Sequence, residues 1–247
     1  MPTGFLEHFG RYSLLLKGSI ARPENTRVYW KEFMDQCNDI GIRSLPIVVI
    51  ISLFLGMVLT VQTAYQLVSP LIPKSVVAQV VRDSVILELS PTVICVVLAG
   101  VVGSKIASEL GNMRVSEQID ALEIMGINTK TYLVLPKIIA SLIMIPCLIV
   151  LSIAIAIFGG YLAGMFSSIL TKEQFSQGLR NEFLPFNVFF AIIKAFVFAF
   201  IISTIPAYYG YYVKGGALEI GRASTTAVVV SCIMILLADY AISILLL

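Results

Sequence analysis

Residues 103–126 read GSKIASELGNMRVSEQIDALEIMG and form a polar stretch between two long apolar runs. Six charged residues fall within this stretch, namely Lys105, Glu109, Arg114, Glu117, Asp120 and Glu123. The apolar runs on either side are nearly free of charge. A short polar segment that apolar helices hold at both ends is well placed to dock another molecule, and we expect this segment to do so.

The composition of the chain indicates a membrane protein. The chain has 247 residues, of which 58% are hydrophobic and 13% are charged, whereas about 25% of the residues of a soluble domain are charged. A soluble core of this size cannot bury so many apolar side chains, but lipid can solvate them. The net charge of +2 does not favour a nucleic-acid partner.

The residue types that bind metals or carry out catalysis are sparse. The cysteines are far apart in the sequence and are Cys37, Cys95, Cys147 and Cys232, while His8 is the one histidine. We therefore expect no metal site, no structural disulfide and no catalytic triad. The segment GVVGSK at residues 100–105 lacks the spacing of a phosphate-binding loop. The chain is accordingly expected to bind no cofactor and not to hydrolyse ATP itself.

Five apolar runs are long enough to cross a membrane. A helix needs about 20 apolar residues to cross a hydrocarbon core of about 30 Å. The runs cover residues 45–67, 85–107, 133–165, 186–211 and 223–246. They predict an all-α polytopic membrane protein with a five-span domain over residues 45–247. We also expect Pro91 to bend the second span, a turn at 69–75 and a polar loop at 171–185.

The first 44 residues differ from the spans because they mix aromatic and basic side chains, among them Tyr29, Trp30 and Lys31. Helices with this composition lie along the membrane surface. We predict amphipathic interfacial (elbow) helices over residues 1–44. The alternative is a small solvated domain, although so short a segment buries little core of its own.

Basic residues are divided unequally between the two sides that five spans define. One side holds twelve, which are Arg11, Lys17, Arg22, Arg27, Lys31, Arg43, Lys105, Arg114, Lys130, Lys137, Lys214 and Arg222. The other holds four, which are Lys74, Arg82, Lys172 and Arg180. Basic loops remain in the cytoplasm. The N-terminus and residues 103–126 are therefore predicted to be cytoplasmic, and the C-terminus periplasmic.

A short helix is predicted within the polar stretch, at residues 116–125. Gly111 is expected to end the preceding span helix in a left-handed cap, Ser116 to cap the short helix and Gly126 to end it. Its apolar residues are expected to share one side and are Ile119, Leu122 and Met125. A helix of this length is not stable alone in water, so it requires a partner surface. An ordinary capped loop is the alternative.

Three charged residues lie within or at the ends of spans, namely Glu88, Lys194 and Asp239. Charges in lipid are costly and usually face a cavity or one another. One hypothesis is that the three line an outward-opening site for lipid head groups; the alternative is an ion pair that only fixes helix packing. Gln62 and Tyr65, near the outer end of the first span, are candidates to line the same cavity, and Tyr65 is equally well explained as an interfacial anchor.

The segment ASELGNMRVSEQIDALEIMG at residues 107–126 resembles the signature of the MlaE/YrbE-type permeases. Two further segments match this family, and the resemblance extends along most of the chain. One is Glu-Leu-x-Pro in the second span (Glu88, Leu89 and Pro91), and the other is GGALEIGRAST at residues 215–225. Members of the family are the membrane subunits of lipid-transporting ABC systems that work with MCE proteins.

The resemblance implies that the short helix is a coupling helix in a groove of a cytoplasmic ATPase. Its contact positions would be Glu117, Gln118, Ala121, Leu122, Glu123 and Met125. The resemblance also implies a homodimer in the bacterial inner membrane, with two ATPase subunits that bind ATP and an MCE-type periplasmic lipid carrier. The implied function is phospholipid transport between the inner membrane and the outer envelope, which maintains outer-membrane lipid asymmetry.

The chain departs from the family pattern beside Glu88. Family members often carry Arg directly before this glutamate, where this chain has Leu87. Leu87 is therefore a candidate cavity residue without a charged head-group contact, and Arg82 is a candidate to replace that contact.

Other functions remain open for this sequence. Glu88 and Asp239 are possible proton sites of a secondary transporter, although an odd number of spans and the lack of an internal repeat argue against it. A permease for sterol or fatty acid, and a membrane scaffold that transports nothing, are further alternatives.

Overall fold

The structure, a computed structural model, describes residues 3–19, 26–67, 73–167 and 170–246, and these residues contain no β-strand. Five helical stretches are long and apolar enough to cross a membrane. They are Tyr29–Gln66, Ser75–Val115, Lys130–Phe166, Pro185–Tyr211 and Ala217–Leu246. The protein is therefore an all-α polytopic membrane protein, as the sequence predicts.

Eleven α-helices are found in the described residues. They are α1 (Thr3–Ser19), α2 (Thr26–Ile40), α3 (Leu45–Gln66), α4 (Ser75–Ser84), α5 (Ile94–Leu98), α6 (Ser104–Val115), α7 (Gln118–Ile124), α8 (Leu135–Phe166), α9 (Lys172–Arg180), α10 (Pro185–Tyr211) and α11 (Ala217–Leu246). Three π-helical segments, Val85–Val93, Ala99–Gly103 and Lys130–Val134, continue these helices. A 3-10 turn at Ile42–Ser44 precedes α3.

The second span contains two of the π-helical segments, and Pro91 lies inside the first of them. Proline has no backbone N–H, so it cannot donate to the carbonyl of Leu87, which would be its partner in an α-helix. A π-helical turn is one way for a helix to continue past such a break. Pro91 thus lies in a stretch where the α-helix becomes a π-helix, and the Leu87 carbonyl, next to Glu88, lacks its α-helical donor.

The predicted polar loop at 171–185 is wrong, because most of it is the helix α9. Thr171 begins this helix with a capping box: its side chain accepts a hydrogen bond from the Gln174 backbone N–H, and the Gln174 side chain accepts one from the Thr171 N–H. The predicted turn at 69–75 lies mainly outside the described residues, and α4 begins at its last residue, Ser75.

The predicted caps of the polar stretch are partly wrong. The helix α6 continues through Gly111 to Val115, because Gly111 packs against Ile220 and Val213 rather than ending the helix. The Ser116 hydroxyl donates back to the Asn112 carbonyl, so it does not cap α7. Gly126 follows the end of α7, as predicted, and has a positive φ of 83°.

The described chain groups into two compact units. The first consists of Met1–Ser44, Val96–Met144 and Phe198–Ala238, and the second of Leu45–Cys95, Ile145–Val197 and Asp239–Leu247. The interfacial role predicted for residues 1–44 stays a prediction.

In the second unit, α3 and α8 approach each other through glycines. A Cβ atom on Gly56 would lie 1.8 Å from the Ala156 carbonyl oxygen, so that only glycine fits there. Small residues allow this close helix packing in membranes. Ser152 connects the same helices to the second span, because its hydroxyl accepts from Ser52 at 2.8 Å and donates to Ser90 at 3.2 Å.

In the first unit, α1 packs on the C-terminal half of α10. His8 Nδ1 lies 2.6 Å from the Tyr208 hydroxyl, and Tyr12 donates to Thr204 at 2.8 Å. Burial raises the pKa of Tyr12, and the hydrogen bond to Thr204 lowers it by a smaller amount. Tyr12 therefore keeps its proton at neutral pH and remains a donor to α10.

Candidate functional sites

The short helix α7 is attached to α6 by a tight turn and an ion pair. Glu117 makes the turn in a left-handed conformation with φ of 58°. Arg114, in the last turn of α6, donates to Asp120 at 2.6 Å. This pair spans the turn and fixes the direction in which α7 leaves α6.

The exposed face of α7 differs from the apolar side that the sequence predicts. Ile119 is fully buried within its own chain, whereas Met125 is 66% exposed, so the two do not share one side. The reason is geometric: i and i+6 are separated by about 120° around a helix. Ile124, which was not predicted, is 86% exposed. The sequence does not predict this exposure, because a helix of seven residues is too short for the spacing of its apolar residues to identify the buried side.

The other predicted contact positions divide between the two sides of α7. Glu117, Gln118 and Ala121 are exposed, and Leu122 is half-buried. Glu123 is exposed as well, but it lies about 40° from Ile119 around the helix, and its carboxylate reaches its own chain. Its Oε1 accepts from Thr129 at 3.0 Å and from Tyr211 at 2.9 Å.

Buried and partly buried ion pairs connect the helices beside α7. Lys137, at the start of α8, is almost completely buried and lies 2.8 Å from Glu109 of α6. Lys105 of α6 lies 2.7 Å from Asp39 of α2. The helix that leads into α7 and the helix that follows it are therefore held together by charge pairing.

In the second unit, the structure brings Glu88, Lys194 and Asp239 together. Lys194 is fully buried, and its Nζ lies 2.8 Å from Glu88 and 2.6 Å from Asp239. The Glu88 side chain is 48% exposed, and the Asp239 side chain is 15% exposed. The hydroxyl of Thr92 donates to Asp239 at 3.2 Å. Two carboxylates against one ammonium give this cluster a formal charge of −1.

Two further contacts stabilise the buried ammonium of Lys194. It donates to the Leu87 carbonyl at 3.1 Å, which is the acceptor that Pro91 leaves without its α-helical donor. It also lies 4.6 Å from the centroid of the Phe190 ring. Leu87 thus contributes its backbone to the cluster.

Arg82 does not reach this cluster, because it caps the C-terminus of α9. Its Nη1 donates to the carbonyls of Leu179 at 2.9 Å and Asn181 at 2.7 Å, and its Nε donates to Asp83 at 2.9 Å. The side chain is almost fully buried. The suggestion that Arg82 replaces a head-group contact is therefore wrong: carbonyl oxygens and Asp83 already occupy its donors.

Gln62 and Tyr65 belong to a groove of the second unit. Both are exposed and line an apolar groove of about 820 Å³ between α3 and α8, together with Phe54, Met57, Val58, Val61, Ala163, Phe166 and Ser167. Within the described chain, neither residue bonds to Glu88, Lys194 or Asp239. The groove is suited to apolar groups such as acyl chains.

Comparison with known proteins adds to these observations. The family model described as Permease MlaE matches residues 33–245. A probable ABC transporter permease protein of Rickettsia bellii is 40% identical over 235 residues, which are 95% of this chain and 89% of that protein.

Two relatives carry names that specify lipids or an organelle. The intermembrane phospholipid transport system permease protein MlaE of Haemophilus influenzae is 29% identical over 237 residues, which are 96% of this chain and 90% of that protein. The chloroplastic protein TRIGALACTOSYLDIACYLGLYCEROL 1 of Arabidopsis thaliana is 32% identical over 225 residues, which are 88% of this chain and 62% of that protein.

Proposed function

Because the chain belongs to the MlaE permease family, we propose that it is the membrane subunit of an ABC transporter that moves phospholipids between the inner membrane and the outer envelope. The name of the Haemophilus influenzae relative supports phospholipid as the substrate. The Rickettsia bellii relative supports an ABC system. Transport of this kind maintains the lipid asymmetry of the outer membrane.

The observation that carries this proposal is the exposed apolar side of α7. Ile124 and Met125 are adjacent and both exposed in a polar segment, and a contiguous exposed apolar patch is typical of a protein–protein contact. In the proposal, α7 is the coupling helix and lies in a groove of a cytoplasmic ATPase, which binds the ATP. Its proposed contact residues are Glu117, Gln118, Ala121, Leu122, Met125 and Ile124, whereas the carboxylate of Glu123, the remaining position of the predicted set, bonds to its own chain.

The transporter acts as a homodimer with two ATPase subunits. ATP binding brings the two ATPases together, and each α7 moves with the groove that holds it. The ion pairs Arg114–Asp120 and Glu109–Lys137 pass this movement to α6 and α8. The permease then has two conformational states, and ATP binding to the partner subunits favours one of them.

The lipid site of the proposal lies in the second unit. Charged residues inside spans mark substrate pathways because lipid solvates them poorly. The half-exposed Glu88, with Lys194 and Asp239 behind it, contacts the head group, and the groove at Gln62 and Tyr65 receives acyl chains. An MCE-type carrier on the periplasmic side exchanges lipid with this site.

Replacement of Ile124 by Asp tests the coupling helix. The variant removes an apolar contact from an exposed position, so it should fold normally but lose the ATPase on purification and lose lipid transport in reconstituted vesicles. Leu218→Asp is the matched control, since Leu218 is also an exposed apolar residue but lies in the first turn of α11, where an acidic residue is tolerated. Normal ATPase binding by Ile124→Asp would refute the proposal.

The substrate and the energy source are tested on the native complex. Mass spectrometry of the co-purified lipids should find phospholipid, and transport should require ATP. Co-purified sterol or fatty acid in place of phospholipid would identify that lipid as the substrate instead. Transport that follows a pH gradient without ATP would replace the whole proposal with a proton-coupled transporter.

A further inference from the structure

Glu123, Thr129 and Tyr211 form a closed triangle of oxygen atoms at the C-terminal end of α7. Glu123 Oε1 lies 3.0 Å from Thr129 Oγ1 and 2.9 Å from Tyr211 Oη, and the two hydroxyl oxygens lie 2.7 Å apart. Thr129 and Tyr211 are both buried. Buried hydroxyl groups require hydrogen-bond partners, and here the three side chains supply one another.

The three contacts of the triangle share two protons. Each hydroxyl donates one hydrogen bond, and an ionised carboxylate donates none. Two of the three contacts therefore hold a proton at any moment, and Glu123 accepts at least one of these hydrogen bonds. If one hydroxyl is removed, the other remains free to donate to Glu123. Loss of one hydroxyl should therefore leave α7 attached to its neighbours through Glu123, whereas loss of both hydroxyls should not.

Tyr211 is the last residue of α10, which is not adjacent to α7 in the sequence. The chain connects α7 directly only to α6 and to the π-helical segment Lys130–Val134. The Arg114–Asp120 pair strengthens the first of these connections. The triangle therefore connects α7 to a further helix, α10. This helix also contains Lys194.

We propose that Glu123 is a positioning residue that ties α7 to α10, so that α10 moves with the short helix when the partner ATPases close. This inference rests on the proposed function of α7 as the coupling helix. It assigns the Glu123 carboxylate to the permease rather than to the ATPase surface. Movement then reaches α10 through two hydroxyl groups and not only through the neighbours of α7 in the chain.

The test uses the purified complex of permease and ATPase in lipid vesicles and measures ATP hydrolysis and lipid transport separately. Tyr211→Phe and Thr129→Val should each reduce the lipid moved per ATP by less than about twofold, because one donor remains. The double variant should reduce it about tenfold, since Glu123 then has no hydroxyl donor. ATPase binding and ATP hydrolysis should be retained in all three.

Matched controls separate this role from general stability. Tyr209→Phe removes a hydroxyl that makes no hydrogen bond within the described residues, and Thr226→Val removes one that bonds only to its own helix. Glu123→Gln keeps an acceptor oxygen and should transport normally, whereas Glu123→Ala should behave like the double variant. The Ala variant also provides the test if the double variant does not fold.

Two outcomes would overturn the inference. In the first, the double variant moves as much lipid per ATP as the unmodified complex. In the second, its fold-reduction is no larger than the product of the two small reductions of the single variants. Failure of the proposed function has a different signature, which is normal ATPase binding by Ile124→Asp. The two failures are therefore distinguishable in one set of preparations.

Discussion

Lys194 is a fully buried cation inside a span, and its neighbours make that position tolerable. An ammonium group removed from water costs several kcal/mol unless charged and polar partners replace the water. Asp239 is the more buried of its two carboxylate partners and Glu88 the more exposed. In the proposed lipid site Glu88 faces an outward-opening cavity, where water should weaken its pair with Lys194, so the two partners should contribute unequally to stability.

This inequality gives a prediction at the scale of single residues. Asp239→Asn should lower the free energy of unfolding by about 3 kcal/mol, because it leaves a buried charge poorly paired. Glu88→Gln should lower it by about 1 kcal/mol or less, because that pair is half exposed. Thermal unfolding of the purified protein measures both. Equal losses for the two variants would contradict this explanation.

A second residue-scale prediction separates packing from lipid binding. Lys194→Ala removes the ammonium on which both carboxylates converge, so lipid transport should fall together with stability if the cluster contacts head groups. Transport per folded complex, compared with that of Asp239→Asn, measures the functional part. A Lys194→Ala complex that assembles and transports lipid normally would leave the cluster with a packing role only.

Among the elements, α9 depends on a side chain from another helix. The orphan carbonyls at its C-terminus are satisfied by the guanidinium of Arg82, which is positioned by Asp83. A helix of nine residues is not stable in isolation. Its order therefore depends on this contact and on the burial of Phe175 against α4 and α8.

Replacement of Arg82 by Met should release the end of α9. The loss of several charge-assisted hydrogen bonds from an almost fully buried guanidinium to backbone carbonyls should cost about 3 kcal/mol. Hydrogen exchange should become faster in the α9 amides, while the amides of α11 should be unaffected. Lys172→Met, an exposed basic residue at the start of α9, is the control and should change little. Unchanged protection of α9 in Arg82→Met would exclude this role.

The close approach of α3 and α8 gives a second prediction for elements. Gly56→Ala places a methyl group against the Ala156 carbonyl, so the helices must separate, at a cost of about 3 kcal/mol. Gly221→Ala is the matched control, because a Cβ atom there meets nothing within 4 Å. That control should stabilise α11 by about 0.5–1 kcal/mol. Thermal unfolding of both variants provides the comparison, and a neutral Gly56→Ala would be inconsistent with the packing.

The elements also show which features a sequence determines. Long apolar runs must be helical in lipid, so the five spans follow from composition. The capping box of α9 is present in the sequence at Thr171 and Gln174, but polarity alone does not distinguish a short capped helix from a loop. The π-helical segments depend on how the chain compensates for Pro91 and on tertiary contacts. The hydrogen bond between Glu123 and Tyr211 joins residues that are 88 positions apart in the sequence, so no local pattern predicts it.

For the whole molecule, the distribution of basic residues predicts the orientation in the membrane. Twelve Lys and Arg residues lie on the side of the N-terminus and four on the other side. Alkaline phosphatase, which is active only outside the cytoplasm, should therefore be active when fused after Leu246 and inactive when fused after Gly126. A cytoplasmic reporter should give the opposite pattern. Activity at both positions would reject a five-span topology with this orientation.

The exposed apolar pair on α7 has a consequence for the life of the protein before assembly. The side chains of Ile124 and Met125 are both exposed, and with α7 in the cytoplasm, as proposed, they would face water until a partner covers them. Exposed apolar residues are what chaperones and proteases recognise in unassembled subunits, and small differences in stability change cellular abundance several-fold. A cell that makes this permease without its ATPase should therefore degrade the surplus, so that the supply of one subunit sets the amount of the other.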